Sequence, residues 1–591
     1  MSSPNTQDNL SSGEPGWARW MARRGVAQTV ACALAFLAYI PTLGFQFVYD
    51  DKPQIIENPA IHAWRYLPNY FTTHAWAELY PHVSGNYYRP LFLLWFRLNH
   101  AMFGLDPKGW HLTTILCHAA ATYLAFGLVR RLSTSPWIAF SAATLFALHP
   151  VHIESVAWVS GVTDPLMAIF LIGSFLAYLR FREEGRAGWL AVALALFALG
   201  LLEKETAVIL GPLVFVYAWL YAEQRAWLSR LVIALKHWVG FFVLTCLYLS
   251  VRAHVLRGLS HSVTPMRLST MVLTEPSVLW LYFRHMLFPT GLSGLYGLPY
   301  VERPASVAFL VPTVLLLATI LLVAWGISRL EQTRLALFAC CWIVLPIIPA
   351  LWLRAYAEGD IAHDRYLYIP SIGFVVLVSL FIQEISQHWQ MNRKTLQLSV
   401  LAVLACTYGL GTVTQQIHWA SDLLLYEKAY RIAPRDNLIC NNLGTALTEA
   451  GKTGDAIALY SQVLAREPGF WLSNYNLGYT YYKLGKFQES ERYLRRAIGI
   501  NAADSDEYIY LGLSIWRQGR ADEAVPYIQQ AIQIRPSAPG YHFVLAMIRR
   551  DQNDVHGAES ELNLELHYHP DTVAARQQLD SLTRGAPSGS K

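Results

Sequence analysis

The chain has 591 residues, of which 54% are hydrophobic and only 15% charged, whereas soluble globular chains carry roughly a quarter charged residues. The charge is uneven, with 49 charged residues in 1–417 and 38 in 418–591, so a membrane-like region precedes a soluble-like one. A net charge of +5 excludes a nucleic-acid protein held by a broad basic surface, and seven cysteines without a CxxC pair signal no disulfide framework, zinc site or redox motif.

Residues 1–24 form a tail carrying Arg19, Arg23 and Arg24. A membrane-crossing helix needs about 20 apolar residues. Runs of that kind occur near 25–47, 110–129, 136–150, 164–181, 188–202, 206–222, 231–251, 304–327, 334–352, 366–386 and 395–416. The first is too long for a cleaved signal peptide and opens a series of about eleven spans. Segments 89–105 and 277–290 are apolar but carry Arg89, Arg97 and Arg284, and are expected to lie along or dip into one surface. The basic residues of the tail and the short loops with Arg130/Arg131, Arg180/Arg182/Arg186, Arg225/Arg230, Arg329/Arg334 and Arg393/Lys394 place the N-terminus in the cytoplasm. An odd number of spans then puts the C-terminal region on the other side.

After residue 436 four segments repeat in register at a period of 34. Gly444, Gly478, Gly512 and Ala546 share one position, Ala456, Ser490, Ala524 and Ala558 a second, and Pro468, Ala502, Pro536 and Pro570 a third. Small residues let two helices approach closely, and proline ends the second helix. The expected units are 437–470, 471–504, 505–538 and 539–572, within a soluble region 418–572 followed by a tail at 573–591. Such units stack into an α-solenoid whose concave face binds peptides or partner helices. Asn442, Asn474, Asn476 and Tyr508 are candidates for that face, or are ordinary polar residues of helix surfaces.

In the membrane region the ionisable residues collect at the non-cytoplasmic ends of the runs. Asp50 and Asp51 follow the first span in GFQFVYDDKP, opening an outer loop at 48–109, and Arg89 follows two tyrosines in YYRP. His149, His152, Glu154 and Asp164 lie in LHPVHIESVAWVSGVTDP, Glu203, Lys204 and Glu205 in LEKET, and His363, Asp364, Arg365 and Tyr366 in HDRYLYIPSIGF. Ionisable groups at membrane depth cost several kcal/mol (~3 or more) and call for pairing or function. A carboxylate takes a proton from an attacking hydroxyl, while cations and imidazoles stabilise a phosphate leaving group. The set therefore suits group transfer from a lipid-linked phosphate. The structural alternatives are a solvated turn for the Asp pair, mutual pairing in LEKET and Asp364–Arg365, and a hydrogen-bonded core or a metal set for His149, His152 and Glu154.

Together YDD, YYRP, HPVHIESVAW, LEKET and HDRYLYIPSIGF, followed by tetratricopeptide repeats, resemble the transmembrane and tetratricopeptide repeat-containing protein family over about 25–572. That family is similar to glycosyltransferases of the GT-C fold. The resemblance implies an all-α polytopic domain at 25–417 followed by the repeats. It further implies inverting transfer of a sugar, mannose in the best-known members, from a polyprenyl- or dolichyl-phosphate donor to Ser/Thr hydroxyls of proteins. Carried over by position, Asp50 or Asp51 is the general base, Asp50 being favoured. Arg89, His363 and Arg365 would hold the donor phosphate. His149, His152, Glu154, Asp164, Glu203, Lys204, Glu205, Arg284, Asp364 and Tyr366 would shape the pocket. No metal site or cofactor is called for beyond the lipid-phosphate sugar itself, although a divalent ion is compatible with this chemistry. The expected partners are membrane lipid, the lipid-linked donor, a protein or peptide acceptor, and a protein bound by the repeats. The expected location is a bacterial inner membrane with a periplasmic site, or the lumenal side of the endoplasmic reticulum in a eukaryote. The competing function is a non-catalytic, membrane-anchored repeat scaffold. A transporter ranks last because 25–416 has no evident internal symmetry.

Overall fold

The computed structural model describes residues 24–79, 85–133, 135–223, 226–261, 266–356, 359–388 and 392–585. Arg19, Arg23 and Arg225, used above to orient the chain, lie outside the described residues. Among the described residues the fold is helical throughout, the sole bridge being an isolated pair between Leu298 and Gly359. It divides into two units, Met1–Ile432 and Ala433–Lys591.

Eight helices of the first unit are long and apolar enough to cross a membrane: Gly25–Gly44, Pro107–Leu132, Val159–Glu184, Trp227–Leu256, Val307–Ile327, Thr333–Leu351, Pro370–Gln387 and Arg393–Trp419. A ninth run is broken into Pro136–Leu148 and Pro150–Ala157, bent by 51°. Pro150 has no N–H to continue the ladder, and the His149 imidazole caps the new turn by accepting the Val151 N–H. The other two expected runs are the shorter helices Ala187–Glu203 and Glu205–Leu220, which stop at Lys204 because the polar groups there turn inward. The Val307–Ile327 helix buries none of its most apolar stretch against the protein, and Ile320, Leu321 and Leu322 are each more than 60% exposed. Only a hydrocarbon solvent suits such a surface, and the chain is an integral membrane protein.

The arginine-bearing segment after Arg89 is the 14-residue helix Pro90–Phe103, about 21 Å long and too short to span. The second such segment is part of a longer helix, Leu268–Leu287, which is not among those apolar enough to cross.

In the second unit the period of 34 becomes four helix pairs: Asn437–Glu449 with Thr453–Arg466, Trp471–Lys483 with Phe487–Ile500, Ser505–Trp516 with Ala521–Ile534, and Tyr541–Asp551 with Val555–Tyr568. The glycine position has a steric cause. A Cβ at Gly444, Gly478 or Gly512 would come within 2.5, 2.7 or 2.4 Å of Tyr460, Leu494 or Ile528, the residue 16 further on. Ala456, Ser490, Ala524 and Ala558 are fully buried where the paired helices touch.

Two expected boundaries differ. Residues 418–432 belong to the membrane unit, because the Asp422–Ile432 helix is tied to the first loop by the Asp422 carboxylate. Residues 573–585 form a helix, Val573–Gly585, rather than a tail; Ala575 is fully buried and closes the end of the last pair against Leu562 and Ala546.

Candidate active site

The loop after the first span separates its two carboxylates. Asp51 is fully buried. Its Oδ1 accepts the Ser160 N–H at 2.8 Å and the Ser160 hydroxyl at 2.5 Å, and its Oδ2 accepts the Val48 N–H at 3.3 Å. Burial raises its pKa to about 7 even though these three donors favour the charged form. Ser160 is delivered by a tight turn that needs Gly161, where a Cβ would lie 2.4 Å from the Glu154 carbonyl oxygen. Asp50 is different: its carboxylate accepts no hydrogen bond among the described residues, and it faces a cavity that is partly open to solvent, with about 530 Å³ of empty space including that solvent. Burial pushes its pKa up to about 6, assisted by Asp360 and opposed by Arg365 and His363.

Three cations line the same cavity, each with a carboxylate behind it. Arg89 is held in a two-pronged pair by Glu205, with Nη2 at 2.6 Å and Nε at 3.0 Å. Lys204 donates to Asp164 at 2.5 Å, both side chains being almost completely buried. Arg365 gives its Nη1 to Glu154 Oε1 at 3.0 Å and its main-chain N–H to Oε2 at 3.1 Å. Although burial would lower the pKa of Arg89, the Glu205 carboxylate holds it above the ordinary arginine range. The remaining wall is polar and aromatic: Gln54, Trp76, Tyr87, Trp158, Ser160 and Tyr366. Arg89 lies over the Tyr87 ring at 4.5 Å, Arg365 over Trp158 at 5.2 Å, and Lys204 over Tyr366 at 5.5 Å. Clusters more than 300 residues apart in sequence thus meet in one chamber.

Of the expected site residues, Asp50, Arg89, Lys204, Arg365 and Tyr366 line this chamber, and Glu154, Asp164 and Glu205 stand behind its cations. Others do not reach it. His363 lies outside the lining, 3.3 Å from both Glu154 and Asp360; burial and Arg365 lower its pKa, but the two carboxylates outweigh them and push it up to about 10. Asp364 is absorbed by His285 at 2.7 Å and by the Tyr296 hydroxyl. His149 bonds the Met286 carbonyl and leans on Tyr408, while His152 bonds Ser371 among Phe146, His118 and Tyr368. Those two histidines are core residues, and Glu154 is committed elsewhere. Arg284 is on the surface, and among the described residues its side chain hydrogen-bonds only the adjacent His285. Glu203 is fully buried outside the lining, with neither carboxylate oxygen hydrogen-bonded among the described residues. No group of three or more metal-binding side chains converges among the described residues.

Trp158, Ser160 and Tyr87 were not singled out from sequence as site residues, although Trp158 ends the HPVHIESVAW motif and Tyr87 opens YYRP. In the repeats, Asn474 is buried and donates to the Pro468 and Phe470 carbonyls, and Asn476 donates to Asn441. Asn474 is therefore a structural residue rather than part of a binding face.

Fold and chamber together define a polytopic membrane protein with a cation-lined internal site, joined to a helical-repeat unit. Residues 88–250 match the family described as dolichyl-phosphate-mannose-protein mannosyltransferase, and residues 441–507 and 511–568 match the tetratricopeptide repeat. The chain is 26% identical over 562 residues to the mouse protein O-mannosyl-transferase TMTC3, covering 86% of this chain and 60% of that protein. It is 40% identical over 185 residues to protein O-mannosyl-transferase Tmtc2 of Drosophila melanogaster, covering 30% of this chain and 20% of that one. The resemblance drawn from the motifs is thus borne out, and the chain spans about 60% of the length of the curated relatives that it matches most extensively. Among solved structures, the repeats are similar to a thermophilic tetratricopeptide-repeat protein of Thermus thermophilus, at 19% identity and a TM-score of 0.25 over 30% of this chain and 94% of that one.

Proposed function

We propose that the chain is an inverting membrane glycosyltransferase that moves mannose from a polyprenyl-phosphate carrier to Ser or Thr hydroxyls of proteins. The carrying observation is the chamber itself: one carboxylate without a hydrogen-bond partner among the described residues, Asp50, facing three cations that are each already oriented by a carboxylate. Asp50 takes the proton of the acceptor hydroxyl as its oxygen bonds to the anomeric carbon. The bond from that carbon to the phosphate oxygen breaks on the opposite face, so the configuration inverts. The electron pair leaves with the phosphate, where Arg89, Lys204 and Arg365 balance the growing charge. Aromatic faces at Trp158, Tyr87 and Tyr366 give the sugar ring apolar walls. The matches to mannosyltransferases support the choice of sugar and donor.

The repeats are proposed to recruit the acceptor or a partner protein. The site is assigned to the non-cytoplasmic face of a bacterial inner membrane, with the N-terminus in the cytoplasm. Transfer is proposed to be metal-independent, because Arg89, Lys204 and Arg365 offer fixed hydrogen-bond donors to the leaving phosphate.

The test is reconstitution of the full chain in liposomes with polyprenyl-phosphate [14C]mannose and Ser/Thr-rich peptides. Labelled peptide with an anomeric configuration opposite to the donor's is expected. Peptide that stays unlabelled, together with an unchanged glycan profile of exported proteins in a deletion strain, would instead favour the scaffold.

A further inference from the structure

We propose that Asp422 is a positioning residue for Asp50, acting from the opposite end of the membrane unit; this rests on the reading of Asp50 as the base. Asp422 opens the Asp422–Ile432 helix, some 370 residues from the loop that it grips. Its Oδ1 accepts the Tyr49 N–H at 2.7 Å, and its Oδ2 pairs with Lys52 Nζ at 2.6 Å. Two residues earlier, the Ala420 carbonyl accepts the Gln46 N–H at 3.2 Å.

These bonds bracket Asp50 on both sides. Tyr49 is in the left-handed region at φ 55°, an arrangement that is disfavoured for a side-chain-bearing residue and persists only where its surroundings impose it. The Asp422 carboxylate is such an imposition, because it fixes the Tyr49 N–H, one of the two peptide planes that the left-handed turn orients. Asp51 is anchored independently on Ser160. Asp50 thus sits between two clamped neighbours, and among the described residues no hydrogen bond holds its own carboxylate. Without the Asp422 clamp, Tyr49 relaxes towards ordinary φ values and the Asp50 carboxylate swings relative to Arg365 and Arg89. The clamp lies on the helix whose chain runs on into the repeats at Ala433.

The experiment compares Asp422→Ala and Asp422→Asn in the full chain in liposomes, with polyprenyl-phosphate mannose and a Ser-containing peptide. Asp422→Ala is expected to lower kcat roughly 10- to 100-fold with donor KM unchanged, as a misplaced catalytic group does. Asp422→Asn keeps an oxygen for the Tyr49 N–H and is expected to stay within about threefold of the wild type. Hydrogen exchange over peptides covering 46–54 gives a readout independent of turnover: Asp422→Ala should lose protection there, and Asp422→Asn should keep it. Unchanged kcat in Asp422→Ala, a rise in KM alone, or unaltered exchange would overturn the proposal. If the alanine variant does not fold, an asparagine variant that folds but loses kcat as an alanine would be predicted to do also overturns it. A wild type that transfers nothing sinks the mannosyltransferase reading, and the exchange comparison still decides the clamp.

Discussion

Asp50 and Asp51 are adjacent and chemically identical, yet the structure assigns them opposite responses to the same substitution. Asp50→Asn removes the proposed base and is expected to lower kcat by about 10²–10⁴-fold. The same change relieves a desolvated charge. The folded-state pKa of about 6 stands above the ordinary 3.8, so the fold prefers the protonated form. That contribution to stability is complete below about pH 4 and is lost as pH rises through 6. The interval of about two units corresponds to about 3 kcal/mol, and solvent at the chamber reduces it to roughly 1–2. At pH 8, Asp50→Asn should therefore melt higher than the wild type while transferring almost nothing. Asp51→Asn keeps an oxygen for Ser160 but turns an amide N–H2 towards the Val48 N–H, losing about 2–4 kcal/mol of charge-assisted bonding. It should melt lower, and lose activity only in proportion to the unfolded fraction. The assay is paired: thermal midpoints in detergent at pH 5 and pH 8, and transfer rates in liposomes below both midpoints. In the wild type, kcat/KM should rise as pH passes through about 6 and then level off. An Asp50→Asn protein with full activity, or an Asp51→Asn protein that is stable and dead, would refute the division of roles.

Three further outcomes are expected. Gly161→Ala should cost about 2–4 kcal/mol, because the new Cβ meets a carbonyl oxygen rather than a movable side chain, and the midpoint in detergent reads this directly. Arg365→Lys loses the two-pronged reach between Glu154 and the chamber, and should raise donor KM at least ~10-fold while leaving peptide KM alone in steady-state kinetics. In the repeats, Glu507 is fully buried without a hydrogen bond to either oxygen among the described residues, and burial with Asp504 and Asp506 nearby raises its pKa to about 8. Its stabilising, protonated form is lost between about pH 4.5 and 8, so Glu507→Gln should stabilise the repeat unit at pH 8 by on the order of 3 kcal/mol, seen as slower proteolysis within 437–572, and should have little effect at pH 4.

Spans and repeats were legible in the sequence because both are one-dimensional signals. An apolar run declares its solvent by length, and Gly444, Gly478 and Gly512 declare a close approach by recurring 34 apart. The polar clusters were legible as clusters, since charge is scarce in 25–417. Their pairing was not. Nothing local to HPVHIES says that His149 and His152 turn into an aromatic interior while Glu154 turns to Arg365; the break at Pro150 redirects the chain, and tertiary neighbours choose the partners. Arg284 looked like a site cation because it stands in an apolar segment, but its helix presents that position to the surface. Asp422 gave no signal at all, lying in the first turn of an ordinary amphipathic helix.

The backing carboxylates bear on how a turnover ends. Glu205, Asp164 and Glu154 each pair with one of the three cations of the wall before any carrier arrives, Glu205 also meeting Arg252 and Glu154 also meeting His363. In the proposed reaction a spent lipid phosphate would therefore meet well-aimed donors without three uncompensated positive charges, which at low dielectric would retain it far too strongly. Under the proposed function this pairing is expected to keep departure of the used carrier from becoming the slow step, and removing any one of these hidden acids should trap that product.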